Sequence, residues 1–114
     1  LCLDLSASTE TWKELTTTGA SLPEVTDATA TWAEGYRAAV LHGGSTYHAL
    51  SGSTWLLEPT AACEVTVTEL TESGDSPGGL TGASLSWAES SGVGVLTGGQ
   101  TYYKLNGSTV ELAP

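Results

Sequence analysis

A chain of 114 residues and 11.6 kDa holds one compact domain or two very small ones, which excludes a large multidomain enzyme. Three Lys and Arg stand against 13 Asp and Glu, a net charge of -10, and such a surface repels a phosphate backbone, so nucleic acid is excluded as a partner. With 39% hydrophobic residues the chain is too apolar for a disordered acidic tail, and no run approaches the roughly 18 apolar residues that would span a bilayer as a helix.

Thr, Ser, Gly and Ala dominate, Met and Phe are absent, and the apolar content lies in Val, Leu, Ala, four Trp and four Tyr, a mixture that favours strands and turns. The first residue is Leu1 and not Met, which reads as a processed or excised chain. Cys2 and Cys63 are expected to form a disulfide in an oxidising compartment, the alternative being two buried free thiols. A zinc site is not expected, because His42 and His48 are the only other soft ligands and no zinc spacing is present.

In chain order, TWKEL (Thr11–Leu15) reads as the first full strand, and ATATWAE (Ala28–Glu34) as the next after a loop rich in Gly, Ser and Pro. Three stretches follow: an apolar one ending at Gly43-Gly44, a Tyr-containing one ending at Ser51-Gly52, and a third running to Pro59. Gly-Gly and Asn-Gly junctions signal hairpins, because a type I′ turn needs positive φ at both central residues, so the three stretches are expected to form a meander. CEVTVTEL (Cys63–Leu70) and ASLSWAE (Ala83–Glu89) then echo the two earlier strands, and the meander recurs through Gly98-Gly99, Asn106-Gly107 and Pro114. No helical period is sustained over three turns, so the fold is expected to be all-β.

The echo is a repeat. A shift of 55 residues aligns Thr11–Pro59 with Thr66–Pro114 without a gap, identical at 23 of 49 positions. Two tandem 55-residue β-meander repeats are expected, occupying 1–59 and 60–114. If Ser51-Gly52 closes a two-residue turn, His48 faces Trp55 and Tyr47 faces Leu56, while Tyr103 faces Val110 and Tyr102 faces Glu111. The dry face would then hold Leu41, His48, Leu50, Trp55 and Leu57 in the first copy, and Leu96, Tyr103, Leu105, Val110 and Leu112 in the second. On the other face Leu56 is replaced by Glu111 and Ala49 by Lys104, so that face is expected to be wetted in the second copy.

Gly43, Gly44, Tyr47 and Trp55, echoed by Gly98, Gly99 and Tyr102, resemble the glycine-doublet, Tyr and Trp pattern of kelch-type β-propeller blades. Similar glycine turns followed by aromatic strands occur in β-rich phage fibre and decoration modules. The blade resemblance implies that two blades need partners to close a ring, as in small lectins whose two-blade chains form six-bladed trimers. A β-sandwich or two tandem small β-domains are the competing architecture.

Candidate chemistry is sparse. GDSPGG (Gly74–Gly79) resembles the nucleophile loop of chymotrypsin-like proteases, and Asp27, His42 and Ser76 would be the nominal triad. That family needs two barrels of roughly twice this total length, the chain order of the three residues is wrong for it, and Pro77 would spoil the oxyanion amides, so a loop tip is expected there. No D-x-D-x-D-G calcium pattern is present, and neither a metal nor a cofactor is expected. Asn106-Gly107-Ser108 is a glycosylation sequon that a hairpin turn explains equally well. The sharper lead is the set Trp32, Glu34, Tyr47, Trp87, Glu89 and Tyr102, in which an aromatic face suited to a sugar ring lies beside a carboxylate suited to its hydroxyls. The competing role of the repeated Trp is as a packing wedge between units.

These features point to a non-enzymatic structural or assembly module of an extracellular or virion surface, such as a fibre, decoration or filament subunit. Its expected partners are further copies of itself, as a homo-oligomer or filament, or other surface proteins. The alternative is a lectin-like carbohydrate-binding module with two equivalent sites for glycans.

Overall fold

A computed structural model describes residues 1–5, 9–47, 49–101 and 105–114. The chain is all-β, with no α-helix among the described residues. Its strands are β1 (Cys2–Asp4), β2 (Thr11–Lys13), β3 (Thr16–Gly19), β4 (Thr29–Ala33), β5 (Ala38–His42), β6 (Thr54–Ala61), β7 (Glu64–Leu70), β8 (Thr81–Ala88), β9 (Val93–Gln100) and β10 (Thr109–Leu112). They form a two-stranded sheet β1-β2, a five-stranded sheet β3-β7-β6-β5-β4 and a three-stranded sheet β10-β9-β8. Every pairing is antiparallel except that of β3 with β7.

The five-stranded sheet is covered on both faces. Val40 lies opposite Leu56 on one face, where Val40 and Ala33 share a core with Leu80, Leu85 and Leu96, and Trp87, Val110 and Leu112 pack against it. On the other face Trp55, Val65 and Val67 pack with Leu41, Leu57 and the N-terminal Leu15, Ala20 and Leu22. Burial on both sides is why AAVL and TWLL are unbroken apolar runs where a half-wetted strand would alternate. The three-stranded sheet does alternate: Leu85, Leu96, Val110 and Leu112 face the shared core, whereas Ser84, Ser86, Thr97 and Glu111 are exposed. Two sheets sharing one core are compatible with a β-sandwich. Each fully buried Val or Leu side chain contributes about 1.5–3 kcal/mol of transfer free energy to that core.

Two expectations are corrected. The Tyr-containing stretch of the first copy is not the middle strand of a meander, since β5 pairs directly with β6; in the second copy β9 pairs directly with β10. The neighbours of Leu56 are therefore Val40 and Thr68, not Tyr47, and Trp55 lies between Leu41 and Glu69. Val110 lies opposite Leu96 and Glu111 opposite Val95. His48, Tyr102, Tyr103 and Lys104 lie outside the described residues. Leu105, expected in the core, is exposed: it lies outside the strands, bridged to Gln100 beside Asn106, whose N–H donates to Gly99 O at 3.0 Å.

The glycine doublet explains the diversion. Gly43 and Gly44 both have positive φ, as a type I′ turn would require, but Gly44 N–H donates to Leu80 O at 2.8 Å and draws the chain toward the other sheet. A Cβ on Gly43 would lie 2.6 Å from Leu80 O. The reversal comes later, where Thr46 N–H donates to Ala49 O at 2.8 Å, and that turn puts Tyr47 at a fully exposed tip. Dry faces, by contrast, are as expected in the second copy at Leu96, Val110 and Leu112, with Glu111 wetted.

Cys2 and Cys63 form a disulfide, with Cα atoms 5.4 Å apart and a sequence separation of 61. It ties β1 to the turn ahead of β7, where Thr16 N–H also donates to Cys63 O at 2.9 Å. Closing a loop of that length restricts the unfolded chain by an amount worth about 4 kcal/mol. Cys2→Ser is accordingly expected to lower unfolding stability in urea by about 2–4 kcal/mol, and an unchanged midpoint would show that the bond does not constrain the unfolded chain.

Candidate functional site

Two regions collect the residues that could carry chemistry. The first is built on β4 and β8, whose Trp32 and Trp87 each precede a Glu by two positions. Trp32 Nε1–H donates to Glu34 Oε2 at 2.5 Å, and Trp87 Nε1–H donates to Glu89 Oε2 at 2.6 Å. The hydrogen bonds match, but the surroundings do not. Trp87 is half-buried against the shared core, and Tyr36 meets its ring edge-on at a centroid distance of 5.8 Å. Tyr36 belongs to the 3₁₀ turn Glu34–Tyr36, and its hydroxyl donates to Pro114 O at 3.2 Å. In the same turn a Cβ on Gly35 would lie 2.9 Å from Glu89 Oε1, so the turn is closely seated on the second Trp–Glu pair.

Trp32, opposite Ala39 on an edge strand, is 47% exposed. Tyr47 stands apart at its loop tip, beside a surface depression lined by Pro23, Val25 and Thr46. Tyr102 lies outside the described residues. The structure thus brings Trp32 to Glu34 and Trp87 to Glu89, and does not present the two pairs alike. A third pair is not evident from the repeat: Trp12 Nε1–H donates to Glu10, with the acid preceding the Trp instead of following it.

The second region is a cavity of about 300 Å³ between the two larger sheets, beside β10. Leu85, Leu96, Val110 and Leu112 form its apolar floor, and Glu72, Asp75 and Ser76 its polar rim. Val110 leaves room here, because the matched position in the first copy is the bulkier Trp55. At the back sits His42, 4% exposed, whose Nδ1 is 2.7 Å from Thr54 Oγ1 and whose Nε2 has no partner of good hydrogen-bond geometry among the described residues. Burial holds the His42 imidazole below its ordinary pKa, against the opposing pull of the Glu72 carboxylate and the Gly78 backbone. Ser76 Oγ–H donates to Glu72, and Asp27 lines a different depression with Gly82 and Gln100, so Asp27, His42 and Ser76 are not assembled into one unit. Among the described residues no group of three or more His, Cys, Asp and Glu could hold a metal ion.

Compared with protein-family models, with curated proteins and with solved structures, the chain matches none. What the chain does must therefore be argued from its own surfaces.

The buried histidine has a measurable consequence. Its folded pKa lies below its unfolded one, so as pH falls the unfolded chain takes up the proton first. The stability associated with neutral His42 is complete above about pH 6.5 and declines as pH drops toward the folded pKa. The His42 ring should titrate by NMR with a midpoint below about 6.5, and His42→Gln should flatten the fall in urea stability between about pH 7.5 and 5. A midpoint at or above that value would show the ring to be hydrated.

Proposed function

We propose that the chain is a non-enzymatic structural module that assembles with further copies of itself on an extracellular or virion surface, as a fibre, decoration or filament subunit. The observation that carries this reading is the end of the three-stranded sheet: among the described strands β10 is paired only with β9, and a partly apolar cavity opens beside it. An edge strand of this kind is a ready template for a neighbouring chain. The disulfide suits an oxidising compartment, and no helix among the described residues is long and apolar enough to cross a membrane. A net charge of -10 limits indiscriminate association, leaving specific contacts to select the partner.

Light scattering across a range of concentrations tests the reading. A discrete trimer is expected if the units close a ring, and open-ended growth if they form a filament. A monomer at every concentration would overturn self-assembly.

One observation favours a second reading, a lectin-like module: the half-exposed Trp32 with Glu34 hydrogen bonded to its indole N–H. Stacking of a sugar ring on that indole is the interaction it offers. Trp32→Ala should then fold normally and lose glycan retention on an array, whereas Trp87→Ala should cost about 2–4 kcal/mol of stability through lost packing. Absence of glycan retention by the unsubstituted protein would end this reading.

A further inference from the structure

We infer that the open edge of β10 receives the segment Thr11–Leu15 of a second copy, β2 and the two residues after it, antiparallel, with Trp12 filling the cavity beside it. This rests on the assembly reading and deepens it by naming the two surfaces that meet. The template is inside the chain. β6 contains Thr54–Leu57, matched in the repeat by Thr109–Leu112 of β10, and the edge of β6 is covered by β7, whose Thr66–Leu70 is matched by Thr11–Leu15. β10 is thus the counterpart of a covered strand, and Thr11–Leu15 is the counterpart of its cover.

Transferring the observed register makes the inference specific. Within the chain Thr54 lies opposite Leu70, Trp55 opposite Glu69, Leu56 opposite Thr68 and Leu57 opposite Val67. Moved by 55 positions, Thr109 meets Leu15 of the second copy, Val110 meets Glu14, Glu111 meets Lys13 and Leu112 meets Trp12. One of these exchanges changes both partners. Leu56 opposite Thr68 becomes Glu111 opposite Lys13, an acid facing one of only three Lys and Arg in the chain. Cross-strand pairs of opposite charge stabilise antiparallel sheets, and like charges oppose pairing.

Another exchange changes one partner, in size. Leu57 opposite Val67 becomes Leu112 opposite Trp12, at the place where replacement of Trp55 by Val110 leaves a cavity floored by Leu85, Leu96, Val110 and Leu112. Val67 is 2% exposed, but Trp12 is 56% exposed, so a large aromatic side chain stands in water at the position whose counterpart is buried. β2 belongs to a two-stranded sheet with β1, so docking would build the five-stranded order β1-β2-β10-β9-β8 across two molecules. Each copy offers one donor strand and one acceptor edge, and the contact is head-to-tail; such contacts generate rings or open filaments.

The test is sedimentation velocity over a concentration range on the whole chain, with thermal unfolding to verify that each variant folds. Trp12→Ala, Lys13→Glu and Glu111→Lys are each expected to weaken association roughly tenfold or more. Lys13→Glu and Glu111→Lys should associate when mixed, because each then meets an opposite charge in the other, and the double variant should regain self-association. Association of the unsubstituted protein that none of the variants alters would overturn this docking and leave the assembly reading standing. A silent Lys13→Glu beside a disruptive Glu111→Lys would pair two β10 edges instead and also overturn it. Loss without rescue in the mixture would show that the charges do not face each other. A monomer at every concentration would remove both readings.

Discussion

The pairing of β6 with β7 is the interaction on which the rest of the structure depends. β7 comes from the second copy of the sequence repeat, yet it is hydrogen bonded between β6 and β3. From there Val65 and Val67 reach the core beside Trp55, and the N-terminal Leu15, Ala20 and Leu22 are drawn over them. Without β7 that core would lose two of its three buried members, and the five-stranded sheet would be open on the face opposite the shared core. The disulfide acts at the same place, since Cys63 immediately precedes β7 and its partner Cys2 lies in β1. A covalent tie at the start of a central strand resists its displacement more effectively than one at a loose tail.

One consequence is that similar sequences occupy dissimilar surroundings. The face of the first copy carrying Val40 and Leu56 looks into the shared core, but in the second copy Val95 and Glu111 hold those positions on the side away from it. The opposite face repeats the inversion: Leu96, Val110 and Leu112 enter the shared core, whereas Leu41, Trp55 and Leu57 are covered by the N-terminal segment. The sheets therefore meet front to back. That arrangement fits Trp87 being packed against Tyr36 while Trp32, its match, is 47% exposed.

Much of the all-β fold was legible because its signals are local. Alternation in ASLSWAE and CEVTVTEL marks β8 and β7, and Glu111 in place of Leu56 announces a wetted surface. The meander register was not legible. Gly43-Gly44 satisfies the backbone requirement of a hairpin turn, but the hydrogen bond that decides its path goes to Leu80, 36 positions away, and no local rule sees a partner at that distance. The same limit hid the candidate site. His42 stands in the sequence as one of two histidines without a metal spacing, and only the packing of the two sheets buries it at the back of a cavity whose rim is supplied by Glu72 and Asp75. Trp12 was visible as part of a strand, but its significance needs the contrast with buried Val67.

Charge and shape divide the work of recognition in the assembly reading. Copies that each carry -10 repel one another until they are close, and a single exposed Lys–Glu pair contributes too little to reverse that. Affinity would have to come from an aromatic side chain entering an apolar recess, which is where interface energy concentrates. The ion pair would instead select the register, since a slip of one residue sends every side chain to the opposite face and sets Lys13 away from Glu111. In that reading an acidic surface, a cation on the proposed donor strand and the cavity beside the β10 edge would together disfavour most encounters and single out one. Under that reading such a division would let the module remain dispersed at low concentration and assemble where it is crowded or where salt screens the repulsion.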